Sequence, residues 1–128
     1  MRLLLTIHVT LTGSFDVNNG TEAVVMLPFT GTAEGEFFTG KTVGSGVDTQ
    51  KLENGSLKRL SARYMLEGKD FTGAECRIFI ENNGPSLDAC VPILVTDSKA
   101  LAHWQKAALV SEVTPTEKGV DVRIFERD

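Results

Sequence analysis

The sequence predicts an all-β protein, an antiparallel closed or nearly closed barrel of about eight strands with one short helix near the C-terminus. Three observations predict it. Apolar residues recur at every second position in one segment after another, which is the period of a strand. Turn residues interrupt the chain about every ten positions, the spacing of a sandwich or barrel. Twelve glycines in 128 residues suit tightly curved strands, which bend at glycine and at bulges. Closure also removes the sheet edges that invite aggregation. A chain of this length is most simply one domain, residues 1–128, long enough to bury a core without staples.

The first strand is the clearest. Leu3, Leu5, Ile7, Val9 and Leu11 fall on one side, with Arg2, Thr6, His8, Thr10 and Thr12 on the other. Asn18, Asn19 and Gly20 form a turn signal, because Asn and Gly tolerate positive φ. Residues 22–29 read as a second strand closed by Pro28, and residues 36–41 as a short third one. Segments 47–52 and 57–66 flank Glu53-Asn54-Gly55-Ser56, and Asn-Gly is the strongest short hairpin signal. In 74–82, Cys76, Ile78 and Ile80 share one face while Arg77, Phe79 and Glu81 share the other. Residues 87–95 are extended but carry Pro92, which fits an edge strand or a loop.

The period then changes. Thr96, Asp97 or Ser98 can cap a helix, and Ala100, Leu101, Trp104 and Ala108 lie on one stripe at helical spacing. This predicts one helix of three turns or fewer. The chain closes with residues 109–115, a turn at 116–119, and a strand in which Val120, Val122 and Ile124 alternate with charged residues.

Composition excludes several functions. Seventeen acidic against thirteen basic residues leave a net charge of −4, without the basic stripe that nucleic-acid binding needs. Cys76 and Cys90, with His8 and His103, are too few and too scattered for a metal site, and the cysteines read as reduced apolar side chains. No metal or cofactor is expected. No run approaches the ~20 apolar residues of a membrane-spanning helix, and the period-two polar residues after Arg2 argue against a signal peptide. A cytoplasmic microbial protein is the expectation. Gly40, Gly44 and Gly46 are too widely spaced for a phosphate loop. Neither Gly-x-Ser-x-Gly nor His-Glu-x-x-His occurs, which argues against α/β-hydrolase and zinc-peptidase chemistry.

Gly35, Gly40, Gly44 and Gly46-Val47-Asp48 precede Ala62-Arg63-Tyr64 on the next long strand. Ile78-Phe79-Ile80, Asn83-Gly84, Pro92 and Thr96-Asp97 follow in order. With these motifs the chain resembles a family of small microbial proteins known as domain of unknown function 3237. The resemblance implies a calycin-like β-barrel and little about function. Two positions depart from the family pattern: Thr49 stands where an aromatic residue is usual, and Ser61 where an acidic one often precedes the Arg.

The candidate ligand-binding residues are Asp48, Gln50, Arg63, Tyr64 and Trp104. In strand 57–66, Leu60, Ala62, Tyr64 and Leu66 share one phase, and Arg59, Ser61, Arg63 and Met65 the other. With the apolar phase inside, the simplest barrel, Arg63 stands outside and pairs with Asp48 or Glu75 across strands. With the other phase inside, Arg63 needs a buried carboxylate or an anionic ligand. Strand phase alone does not choose between them. His8 reads as a solvated strand residue, and Trp104 as the anchor that packs the helix onto the barrel or a ring that stacks on a ligand.

Three functional readings remain open at this stage. The first is a barrel that binds a small apolar or aromatic metabolite in or at the mouth of its lumen. The second is a small enzyme, of isomerase or cyclase type, with Asp48 as base and Arg63 or Tyr64 steadying negative charge. The third is an oligomerisation module, most simply a homodimer, because residues 62–66 and 76–80 are apolar in both phases.

Overall fold

The computed structural model describes all residues, 1–128. It has ten strands: β1 (Arg2–Leu11), β2 (Phe15–Asn18), β3 (Glu22–Glu34), β4 (Phe38–Thr42), β5 (Gly46–Glu53), β6 (Ser56–Asp70), β7 (Glu75–Gly84), β8 (Val91–Thr96), β9 (Leu109–Pro115) and β10 (Gly119–Glu126). All pairings are antiparallel, in the order β8-β7-β6-β4-β3-β1-β10-β9.

Ten strands exceed the eight expected, and the register explains why. β4 and β5 both lie between β3 and β6, β4 pairing with their far ends and β5 with their near ends. β2 continues the line of β1 along β3, after a break between Leu11 and Phe15. Ten strands therefore occupy eight positions. The interruptions fall at Thr12-Gly13-Ser14 and at Val43-Gly44-Ser45, where the chain bends with Gly44 at φ 65°.

The barrel is drawn together where β8 and β9 meet. These end strands adjoin without pairing. Ser111 of β9 spans the junction instead, its Oγ 3.3 Å from the carbonyl of Cys90 and 3.1 Å from Asn82 Nδ2. Pro92 sits on β8, an end strand, as its missing N–H requires.

Local chemistry accounts for the elements. Asn54 and Gly55 both take positive φ, 50° and 80°, the conformation a two-residue hairpin turn demands. In β1 the pairing slips between Leu3 and Leu5, so Leu4 bulges and is buried beside Leu5 rather than facing outward.

The predicted C-terminal helix is replaced by a short 3₁₀ helix, Ala102–Lys106. Leu101 and Trp104, both fully buried, are three residues apart, and side chains at that spacing eclipse at three residues per turn. Trp104 N–H donates to Leu101 O at 2.9 Å, closing that turn. Ser98, in place of capping an α-helix, gives its hydroxyl proton to Asp70 Oδ2 at 2.7 Å and accepts from Leu101 N–H.

The core fills one half of the barrel solidly. Leu5, Ile7, Phe38, Leu66, Ile78 and Ile124 point inward, and Leu101 and Trp104 close that end. The other half is not filled, and the pocket lies there.

Candidate functional site

Inner-face residues of β1, β3, β5, β6, β7, β9 and β10 border a cavity of about 140 Å³ that opens toward solvent, lined by fifteen residues of which twelve are hydrophobic. Phe29, Tyr64 and Val122 lie toward the packed half, and Leu11 and Leu87, more than 40% exposed, lie toward solvent. A 3₁₀ turn, Leu87–Ala89, brings Leu87 and Cys90 to the same wall.

Period two decides who faces in. Asp48 is paired with Leu27 on one side and Ala62 on the other, so Leu27, Asp48 and Ala62 form one inward row, continued by Asn82 opposite Ala62. Gly46, two residues before Asp48, is buried between Phe29 and Tyr64. A Cβ there would lie 2.6 Å from Phe29 Cζ and 2.7 Å from Tyr64 Cβ. The Gly46-Val47-Asp48 motif thus lets two aromatic residues pack onto bare backbone and sets a carboxylate two residues further along the same face.

The polar groups of the cavity are few. Asp48 Oδ2 accepts a hydrogen bond from Gln50 Nε2 at 2.9 Å. Asp48 Oδ1 and the Tyr64 hydroxyl are buried and bond to no protein group. Leaving such atoms unpaired costs about 1–3 kcal/mol each. Burial pushes the Asp48 carboxyl above the usual carboxylate range, and the Gln50 hydrogen bond opposes that in part. Burial also raises the Tyr64 phenol well above its ordinary value. It therefore stays neutral, able to donate and to accept. Burial likewise raises the Cys90 thiol, with Asp48 and Asp88 adding to the effect, so this wall carries no thiolate.

Of the five residues singled out in the sequence, Asp48, Gln50 and Tyr64 meet in this cavity. Arg63 does not. It lies on the outer face, its side chain 62% exposed, with Nε 2.8 Å from Glu81 Oε2. Glu81 is its direct partner across β6 and β7, where Asp48 or Glu75 was expected; Asp48 faces the lumen and Glu75 pairs with Lys69. Trp104 is likewise apart, buried edge-on to Phe37 with ring centroids 6.0 Å apart. The enzyme arrangement of Asp48, Arg63 and Tyr64 is not assembled, because adjacent residues of one strand face opposite sides. His8 is on the outer face of β1, its Nδ1 2.9 Å from Asp121 Oδ1.

Asn82 and Cys90 were missed. Extending the Cys76, Ile78, Ile80 alternation by one step places Asn82 inside. Nothing local signals Cys90, which a turn carries there.

A larger hollow of about 580 Å³ lies outside the barrel, between Met26, Thr49, Lys51, Arg59 and Arg63. Five of its seven lining residues are polar or charged, and they stand on the outward phases of β5 and β6. No group of His, Cys, Asp and Glu side chains is gathered as a metal site, and no helix is long and apolar enough to cross a membrane.

The family described as protein of unknown function (DUF3237) matches residues 1–87. The chain is a member of the DUF3237 family. The matched part of this DUF3237 protein carries Gly46, Asp48, Gln50, Tyr64 and Asn82, whereas Cys90 and β8 to β10 follow it.

Solved structures share the fold. A protein of unknown function from Clostridium acetobutylicum ATCC 824 is 20% identical with a TM-score of 0.79, over 98% of this chain and 94% of that one. An enzyme from Penicillium herquei is 12% identical with a TM-score of 0.73, over 98% and 92%. A β-barrel-like protein from Acinetobacter baumannii AYE is 17% identical with a TM-score of 0.73, over 98% and 93%. At these identities the likeness is one of fold. No protein of curated function matches the chain.

Proposed function

We propose that this DUF3237 protein binds a small, mainly apolar molecule in the unfilled half of its barrel. The observation that carries the reading is the division of the lumen. One half is packed solid, while the other keeps an apolar cavity of about 140 Å³. That is close to the volume that admits benzene in an engineered protein cavity, and below the ~300–1,000 Å³ of pockets for drug-sized ligands. The guest is therefore one ring or a short chain.

Titration with benzene, toluene, phenol and short alkanes tests this by thermal shift, since a ligand that binds the native state raises the melting temperature by mass action. Wild type shows a concentration-dependent rise. Ala62→Leu, which puts a larger apolar side chain into the cavity, abolishes it. A wild type that none of these compounds stabilises defeats the proposal.

A homodimer is the second reading, favoured by one outer row. Val91, Ile93 and Val95 of end strand β8 point outward, each more than half exposed. An apolar row on an end strand is a surface that proteins usually cover. A second copy is the simplest cover, because two-fold pairs are the commonest assembly. Light scattering across a range of concentrations tests it, and a strictly monomeric mass at all of them removes it.

A further inference from the structure

Accepting the binding reading above, we infer that the guest carries a hydroxyl group, as a small alcohol or phenol does, and that Asp48 and Tyr64 read it. Two residues that line this mainly apolar cavity each carry a buried polar atom that bonds to no protein group, Asp48 Oδ1 and the Tyr64 hydroxyl. Tyr64 is 94% buried.

Their positions make them act together. Asp48 is opposite Ala62, and Tyr64 is two residues further along β6, which makes them diagonal neighbours on one inner face. Such neighbours stand about 7–8 Å apart, within reach of long side chains and of one bound molecule. In a cavity of about 140 Å³ a guest that fills the space meets every wall.

The chemistry then selects the guest. An ionised carboxylate only accepts hydrogen bonds, whereas a neutral phenol donates and accepts. A hydroxyl can give its proton to Asp48 and accept one from Tyr64, satisfying both atoms at once. A hydrocarbon leaves both unpaired. A carboxylate brings a second negative charge against Asp48, which has no cation beside it in the cavity: Gln50 is its hydrogen-bond partner, and Arg63 faces outward with Glu81. Gln50 fixes one carboxylate oxygen and leaves the other for the guest.

The test is the affinity order of benzene, phenol and benzoate, measured by ligand-observed NMR on wild type, Tyr64→Phe and Asp48→Asn. In a cavity without partners, a hydroxyl is a penalty and phenol binds more weakly than benzene. Here wild type binds phenol about fivefold tighter than benzene and binds benzoate weakest. Tyr64→Phe, which keeps the ring, removes the phenol preference. Asp48→Asn reduces it and narrows the gap to benzoate.

Benzene binding as well as phenol in wild type overturns the inference while leaving the apolar pocket in place. A phenol preference that survives in both variants, or benzoate binding tightest, overturns it as well. Failure of all three probes on wild type defeats the binding reading itself.

Discussion

The rings of Phe29 and Tyr64 meet edge-on, with centroids 5.4 Å apart and planes at 70°, over the bare backbone of Gly46. Both rings are buried. They form the boundary between the packed half of the barrel and the cavity, so one glycine helps set where packing stops. Gly46→Ala introduces a Cβ within 2.7 Å of both residues. Overpacking of this kind costs typically about 1–3 kcal/mol, and urea unfolding should show a lowered midpoint with an unchanged slope.

Asp48 should trade stability for binding. Burial holds its carboxyl above the usual range in the folded protein. With the folded pKa raised, the native state is favoured below the unfolded value near 4, and this advantage is lost as pH rises through the folded value. Asp48→Asn removes the charge. Denaturant midpoints should therefore place the variant above wild type at pH 7, with the gap closing toward pH 4.

Asp70 should behave in the opposite sense. It accepts hydrogen bonds from the hydroxyls of Thr72 and Ser98 and from the backbone of Thr72 and Ala74, and these, the Thr72 hydroxyl first, hold its carboxyl below the usual range. Stability from this group is present above the unfolded value near 4 and is lost as pH falls through the folded one. Asp70→Asn should lower the melting temperature at pH 7, and the difference from wild type should shrink as the solution is acidified.

Arg63 should prove dispensable for the pocket. Its partner Glu81 lies with it on the outer face, and exposed pairs contribute about 0–1 kcal/mol. Arg63→Ala should change stability by no more than that and leave small-molecule affinity unaltered. A large loss of affinity in calorimetry would place Arg63 in the site after all.

Trp104 should matter for stability alone. It is 2% exposed and closes the packed end with Leu101. Trp104→Ala should cost about 3–5 kcal/mol. A milder variant, Trp104→Phe, should still fold and keep the affinity of the cavity.

Much of this was readable in advance, and the reasons lie in particular residues. The alternation in residues 2–11 and 74–82 marked strands because side chains on a strand alternate strictly between faces. Asn54-Gly55 marked its turn because few other pairs tolerate two positive φ angles. Pro92 marked an edge strand or a loop because it lacks an N–H, and the structure makes it an end strand. Where contacts beyond the segment outweighed local preference, the reading failed. Residues 96–109 have helical spacing, but Ser98 is held by Asp70 and the chain has to seat Leu101 and Trp104 on the barrel end, so a 3₁₀ helix forms.

The candidate site divides along the same line. Period-two hydrophobicity, the turn spacing and the glycines predicted a curved antiparallel sheet, and the Asn54-Gly55 turn put Asp48, Gln50, Arg63 and Tyr64 on one hairpin of it. Which phase of β6 faces the lumen, and hence that Tyr64 is inside and Arg63 outside, was settled by the folded barrel. The alternation of a strand names two faces without saying which is enclosed. That choice belongs to the core as a whole, since enclosing Leu60, Tyr64 and Leu66 removes more apolar surface from water than enclosing Arg59, Ser61 and Arg63.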